Sequence, residues 1–256
     1  MENKPLLYRF IKVIVTTFFR KRKYIGIENL PNEACLVIGN HAQMNGPLAS
    51  ECYYPRKNKT WCVGQMMNIK EAPSYSYDDF WPNKNWFNKP IYKVLSYIIS
   101  PIMVYVLSKA DTIAVYKDAR LMKTYRDTIN SLDEGYDVVI FPEYRDLYNE
   151  IINDFLDKYI DVAKLYYKKT NKCLYFVPQY QADKLKTIVF GKPIKFDPNI
   201  EMDEQRKIIN DYLKDEITRI AKELPRHKVV PYLNLKKKDY KWSKYYERNR
   251  AFGNGI

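Results

Sequence analysis

Short apolar runs alternate with longer amphipathic stretches through the middle of this chain. That alternation restricts its fold more than any other feature. The runs are Ala34–Gly39 (ACLVIG), Thr60–Met66, Thr112–Tyr116 (TIAVY), Tyr136–Phe141 (YDVVIF), Leu174–Pro178 and Thr187–Phe190. They are four to seven residues long, rich in Val and Ile, and too short for buried helices. Between them the pattern predicts a helix from about Pro47 and another over Asp118–Glu134, stopped by Gly135. Two further helices are expected over Asp154–Lys169 and Glu201–Glu223. Strands that alternate with helices imply crossover connections, and these place successive strands side by side in the same direction. The expected fold class is therefore α/β, a single largely parallel sheet flanked by helices.

At 256 residues the chain can bury a full core without a disulfide or metal staple. Its net charge of +13 sits at the two ends. Residues 1–24 carry a net +6, residues 227–256 another +6, and the 202 residues between them only +1. The expected organisation is a basic amphipathic N-terminal helix (1–23), an α/β domain (24–226) and a basic C-terminal tail (227–256). A nucleic-acid-binding domain carries its basic stripe across the body, so nucleic acid is not the expected partner. Basic ends suit an anionic surface, with a membrane as the candidate.

Cysteines stand at 35, 52, 62 and 173, with no CxxC pair, and the two histidines are His41 and His227. This composition argues against a zinc cluster, and no metal is expected. Leu6–Phe19 is interrupted by Arg9 and Lys12 and followed by RKRK. It falls short of the ~20 apolar residues of a spanning helix. Its helical spacing, with bases alongside, fits a membrane-associating helix lying in the interface. Val94–Ser108 carries no charge but holds Pro101 at its middle, where a helix should break or kink. Dipping into one leaflet and packing as core both fit this stretch.

Ligands of α/β sheets sit beyond the carboxyl ends of the strands. Three such loops carry chemistry: Asn40-His41, Lys117-Asp118 and Pro142-Glu143-Tyr144-Arg145. Together they offer an imidazole, two cations and a carboxylate. Histidine is the usual general base near neutral pH, and the cations suit a phosphate-bearing substrate. No Walker loop, GxGxxG or GxSxG is present, so neither a nucleotide cradle nor a serine-hydrolase elbow is indicated. His227 has no companion motif and is given no role.

In order, these blocks resemble the PlsC-like glycerol-phosphate and lysophospholipid acyltransferases. ACLVIGNHAQMNGP is similar to the strand leading into the family's NH-x4-D. TIAVYKD resembles its second block, with Lys117 where Arg is usual. VVIFPEYRD resembles the FPEG-T-R-S block, one residue shorter and with Tyr144 in place of Gly. LYFVPQY and IVFGKPIKF are similar to the later Val-Pro and Gly-x-Pro strands. Five residues after His41, where the family has its Asp, stands Gly46.

The resemblance implies an O-acyltransferase at the cytoplasmic face of the cell membrane, peripheral or monotopic. His41 would be the base on the hydroxyl of a lysophospholipid or glycerol phosphate. The acyl donor would be acyl-CoA, acyl carrier protein or a similar co-substrate, with no bound cofactor. Lys117, Arg145 and Asn45 would bind the acceptor. Glu143, or else Glu51, is expected to supply the carboxylate facing His41. The alternative is an inactive acyltransferase-like protein that binds a lipid or partner.

Overall fold

The computed structural model describes residues 4–81, 85–144, 150–233 and 235–244. Helix α1 (Leu6–Phe18) precedes strand β1 (Lys23–Ile25), β2 (Leu36–Gly39), α2 (Asn45–Tyr53) and β3 (Asn58–Val63). Helices α3 (Ala72–Phe80) and α4 (Lys89–Lys109) lead into β4 (Thr112–Val115), α5 (Leu121–Asp133) and β5 (Asp137–Ile140). Then come α6 (Asp161–Thr170), β6 (Tyr175–Ala182), β7 (Thr187–Phe190), β8 (Ile194–Lys195) and α7 (Met202–Glu223).

The strands form one sheet in the order β1-β7-β6-β2-β5-β3-β4, with β8 also pairing β6. From β6 to β4 every pair is parallel. The expected α/β class is therefore correct. Only at the other edge is the sheet mixed: β7 and β8 run antiparallel to β6, and β1 runs with β7. The central β2 and β5 are buried along their whole length, which is why they read as unbroken apolar runs.

On one face, Leu36, Ile38, Val138 and Ile140 pack with Leu132 of α5, Val162 of α6 and Ile209, Leu213 and Ile217 of α7. Each such side chain, fully buried, contributes about 1.5–3 kcal/mol. On the other face, Val37, Val139 and Val177 meet Ala49 of α2 and Phe190. Asp137, at the start of β5, is buried and accepts from Arg56 Nε (2.9 Å) and Nη2 (2.8 Å), the Tyr54 hydroxyl (2.8 Å) and the Cys35 N–H (3.1 Å). It thereby locks β5 to the entry of β2 and to the α2–β3 connection.

Helix α1 is built inside out for a packed helix. Its polar Tyr8 and Lys12 turn to the body, where both donate to Glu51 of α2. Leu6, Leu7, Phe10, Val13, Ile14 and Phe18 face away and are exposed. Helix α4 bears on two readings of this stretch, a break at Pro101 and packing as core. It runs unbroken through Pro101, and only 11% of its apolar stretch is buried, so it is not core. Ser96 and Ser100 form its buried side, while Ile91, Val94, Tyr97, Ile98 and Ile102 are exposed. The apolar helix around it, Trp86–Lys109, is long and apolar enough to cross a membrane by length and composition. Lys4 joins the two helices, donating to the Lys109 carbonyl and to Asp111 (2.8 Å each).

Residues 227–233 and 235–244, which read as tail in the sequence, fold back onto the body. The Val229 N–H donates to the Lys241 carbonyl, and the Ser243 N–H to the His227 carbonyl (2.9 Å each). Val230 and Tyr240 cluster with Ala42. His227 is buried, with Nδ1 at the Pro225 carbonyl (2.7 Å) and Nε2 at the Tyr180 hydroxyl (2.8 Å). It anchors this segment. The rest of the expected tail, residues 245–256, lies outside the described residues.

Candidate active site

Asn40 continues the β2–β6 ladder past its last residue pair, Gly39 and Gln179. Its Oδ1 accepts from the Gln181 N–H (2.6 Å) and its Nδ2 donates to the Gln181 carbonyl (3.2 Å). A buried asparagine amide thus takes the place of a strand residue and fixes where His41 begins. The chain then turns through two successive left-handed residues, Ala42 (φ 46°) and Gln43 (φ 55°). For residues other than glycine such a conformation costs of order 1–3 kcal/mol each.

Several bonds hold this turn. The Gln43 N–H donates to the Pro231 carbonyl (3.0 Å). Gln43 Nε2 donates to the Tyr240 hydroxyl (3.0 Å) and the Leu233 carbonyl (3.3 Å). Asn45, expected to touch substrate, puts its side-chain amide on the Ala42 carbonyl (3.0 Å) and closes the turn.

The turn aims the Gln43 carbonyl at Nδ1 of His41. A carbonyl carries no proton, so Nδ1 must donate and Nε2 holds the lone pair. Nε2 has no hydrogen-bond partner among the described residues. The ring stacks on Tyr232 (centroids 4.3 Å apart, 21° between planes) and meets the edge of Phe141 (5.5 Å). Burial among these rings pushes the His41 pKa down to about 4, against the opposing pull of the Gln43 carbonyl. His41 is therefore neutral at physiological pH.

Glu143 enters from the loop after β5, where Tyr144 donates to the Asp154 carbonyl (2.7 Å) and Leu156 to the Pro142 carbonyl (2.9 Å). Its carboxylate is buried, and its two oxygens accept backbone N–H groups from His41 (2.5 Å) and Asn153 (3.2 Å). Burial raises its pKa to about 7, and those two donors limit the rise. This corrects the expectation that Glu143 faces the imidazole: it holds the backbone of His41 instead. Glu51 does not serve either, since Tyr8 and Lys12 occupy it. Among the described residues no carboxylate forms an ion pair with the His41 ring.

Gly46 explains part of this. A Cβ there would lie 2.7 Å from the His41 carbonyl oxygen, 2.8 Å from the Phe141 ring and 3.0 Å from the Asn40 carbonyl oxygen. The position where the resembled motif carries Asp has no room for any side chain.

Lys117 is exposed beyond the end of β4. Three strand spacings separate β4 from β2, about 14 Å across the sheet. Lys117 therefore reaches toward the same edge as His41 without touching it. Beside it, Arg120 stacks on Tyr116 (3.8 Å) and pairs with Asp118 (2.7 Å). Arg145 lies outside the described residues. Sequence reasoning missed Gln43 and Tyr232. The first acts through its backbone, and the second sits in a segment that reads as tail.

No protein-family model matches the sequence, and no curated protein matches it. Among solved structures the chain is similar to the 1-acyl-sn-glycerophosphate (LPA) acyltransferase PlsC from Thermotoga maritima. The identity is 14%, the TM-score is 0.45, and the match covers 83% of this chain and 79% of that one.

Proposed function

We propose that the protein is an acyltransferase working at a membrane surface, with His41 as general base. The observation that carries the reading is the placing of that residue: at the carboxyl edge of a parallel sheet, with Nδ1 on the Gln43 carbonyl and Nε2 without a hydrogen-bond partner among the described residues. In the reaction, Nε2 takes the proton of an acceptor hydroxyl. The hydroxyl oxygen forms a bond to the acyl carbonyl carbon of a thioester or related donor. The donor's C–S bond breaks, and the proton passes to the departing thiolate. The order and chemistry of these sequence blocks support a lysophospholipid or glycerol-phosphate acceptor. Lys117 and Arg145 would meet its phosphate. The outward apolar faces of α1 and α4, flanked by Arg9, Lys89 and Lys93, support a lipid surface as the place of work.

One observation favours a second reading, binding without turnover. Among the described residues the ring has no carboxylate paired with it, and it is covered on one face by Tyr232. A single assay separates the two readings: transfer of labelled acyl groups from acyl-CoA or acyl carrier protein to a panel of lysophospholipids and glycerol phosphate. Transfer by the wild type and its loss in His41→Ala supports the enzyme. Tight acyl-lipid binding with no transfer supports the binder.

A further inference from the structure

The C-terminal segment is far from His41 in sequence, yet it determines how the imidazole sits. We propose that the Gln43 carbonyl, held in place by Pro231, Leu233 and Tyr240, orients His41 in the way a side-chain carboxylate orients a histidine base, with Tyr232 clamping the ring. This rests on the reading of His41 as the base. Gln43 and Tyr232 are positioning residues, since they act through His41.

A base of this kind needs a fixed tautomer and a fixed ring plane. A histidine that turns over its Cβ–Cγ bond puts carbons Cδ2 and Cε1 where Nδ1 and Nε2 stood, and the base is then missing from its place. The Gln43 carbonyl meets the first need, because an acceptor without a proton leaves only the Nδ1–H form. Tyr232 against one face and Phe141 at the edge meet the second. The electron-rich face of Tyr232 also attracts the imidazolium that forms when Nε2 takes a proton. That attraction makes up for part of what a neutral carbonyl lacks beside a carboxylate.

The carbonyl does not reach this position by default. It depends on two left-handed residues, and a free loop would relax out of them. Bonds from Gln43 to residues 231, 233 and 240 oppose this. The lack of space at Gly46 keeps the more usual carboxylate out, so the ring's orientation is left to backbone and strap.

The chain has two histidines, and both face a carbonyl through Nδ1, so His227 is an internal reference. Nitrogen-15 NMR of the ring nitrogens at pH 7 reads the tautomers directly. The expected result is the Nδ1–H form for both. An Nε2–H form at His41, or the averaged mixture of a free imidazole, overturns the proposal. Gln43→Gly loses the two Nε2 bonds but keeps the N–H to Pro231 and adopts the left-handed backbone without strain, so it should keep the tautomer. Gln43→Pro, with φ held near −65° and no N–H for Pro231, should lose it while the His227 signals stay unchanged. If His41 keeps the Nδ1–H form in that folded variant, the proposal fails.

Tyr232→Leu should lower kcat roughly 10²-fold with KM little changed, and Tyr232→Phe should restore it. Equal rates for Leu and Phe at this position overturn the clamp. The two readings fail separately. The Nδ1–H form without acyl transfer to any acceptor refutes the base and leaves the positioning intact, whereas transfer with the other tautomer does the reverse.

Discussion

Replacing Gly46 with Asp would restore the carboxylate found in the motif this chain resembles, and the geometry predicts damage. The backbone at Gly46 is ordinary, so the penalty comes from space. Its neighbours are two carbonyl oxygens and a ring, at 2.7, 3.0 and 2.8 Å from a Cβ. Neither oxygen yields easily. The His41 carbonyl accepts the Gly46 N–H (3.1 Å), and Asn40 is clamped to Gln181 from both sides. Relief requires the start of α2 to move by about half an ångström, an overpacking cost of about 3 kcal/mol. At 2–4 °C per kcal/mol for a chain near this size, Tm should fall by roughly 6–12 °C. The Asp carboxylate adds repulsion from the same two oxygens. Gly46→Ala isolates the steric part and should show most of the fall. Thermal unfolding followed by circular dichroism measures both variants. A Tm for Gly46→Asp within about 2 °C of wild type, or a gain in acyl transfer, would refute the reasoning.

Glu143 and His41 should act oppositely on stability between about pH 4.5 and 6.5. The raised Glu143 pKa stabilises the fold at low pH, and that contribution is lost as pH rises through about 7. The lowered His41 pKa makes stability rise with pH from about 4 to 6.5. Relative to wild type, His41→Ala should therefore lose stability from pH 5 to 7.5 and Glu143→Gln should gain it; urea unfolding showing the same slope for both would reject the assignment. Glu143→Gln should in addition cost about 1–3 kcal/mol at pH 7, because an amide can accept from only one of the two N–H groups. Asp137→Asn should cost about 2–3 kcal/mol, less than a fully buried pair because the Arg56 side chain is 30% exposed. For the membrane, Phe10→Glu and Ile98→Glu should each weaken flotation with anionic vesicles at unchanged Tm, and full binding by the double variant would remove the lipid face.

The parallel heart of the sheet was legible because β2 and β5 are buried on both sides and so carry unbroken apolar runs. β1 and β8 were not, since three and two residues show no periodicity. Helix α4 misled through Pro101. A proline costs one backbone bond, and a helix with 21 residues and a packed serine side tolerates that loss. The residue types of the site were legible at His41, Glu143 and Lys117, but their partners were not. Glu143 serves a backbone N–H, and His41 is served by a backbone carbonyl; sequence motifs record side chains only. The returning segment was hidden by its lysines, although Val229, Val230, Tyr232 and Tyr240 among them mark a surface that packs.

The strap also sets an order of events in the making of the protein. A ribosome delivers His41 first and residues 231–240 some two hundred positions later. The sheet from β6 to β4 and its helices can collapse from what has already emerged, while the 41–46 turn still lacks the contacts that hold its left-handed residues. A nascent chain therefore passes through a stage with its core formed and its histidine loose. On the proposed positioning, alignment of the imidazole waits until the strap has emerged, so a product truncated before residue 231 should keep its sheet yet hold an unaligned imidazole.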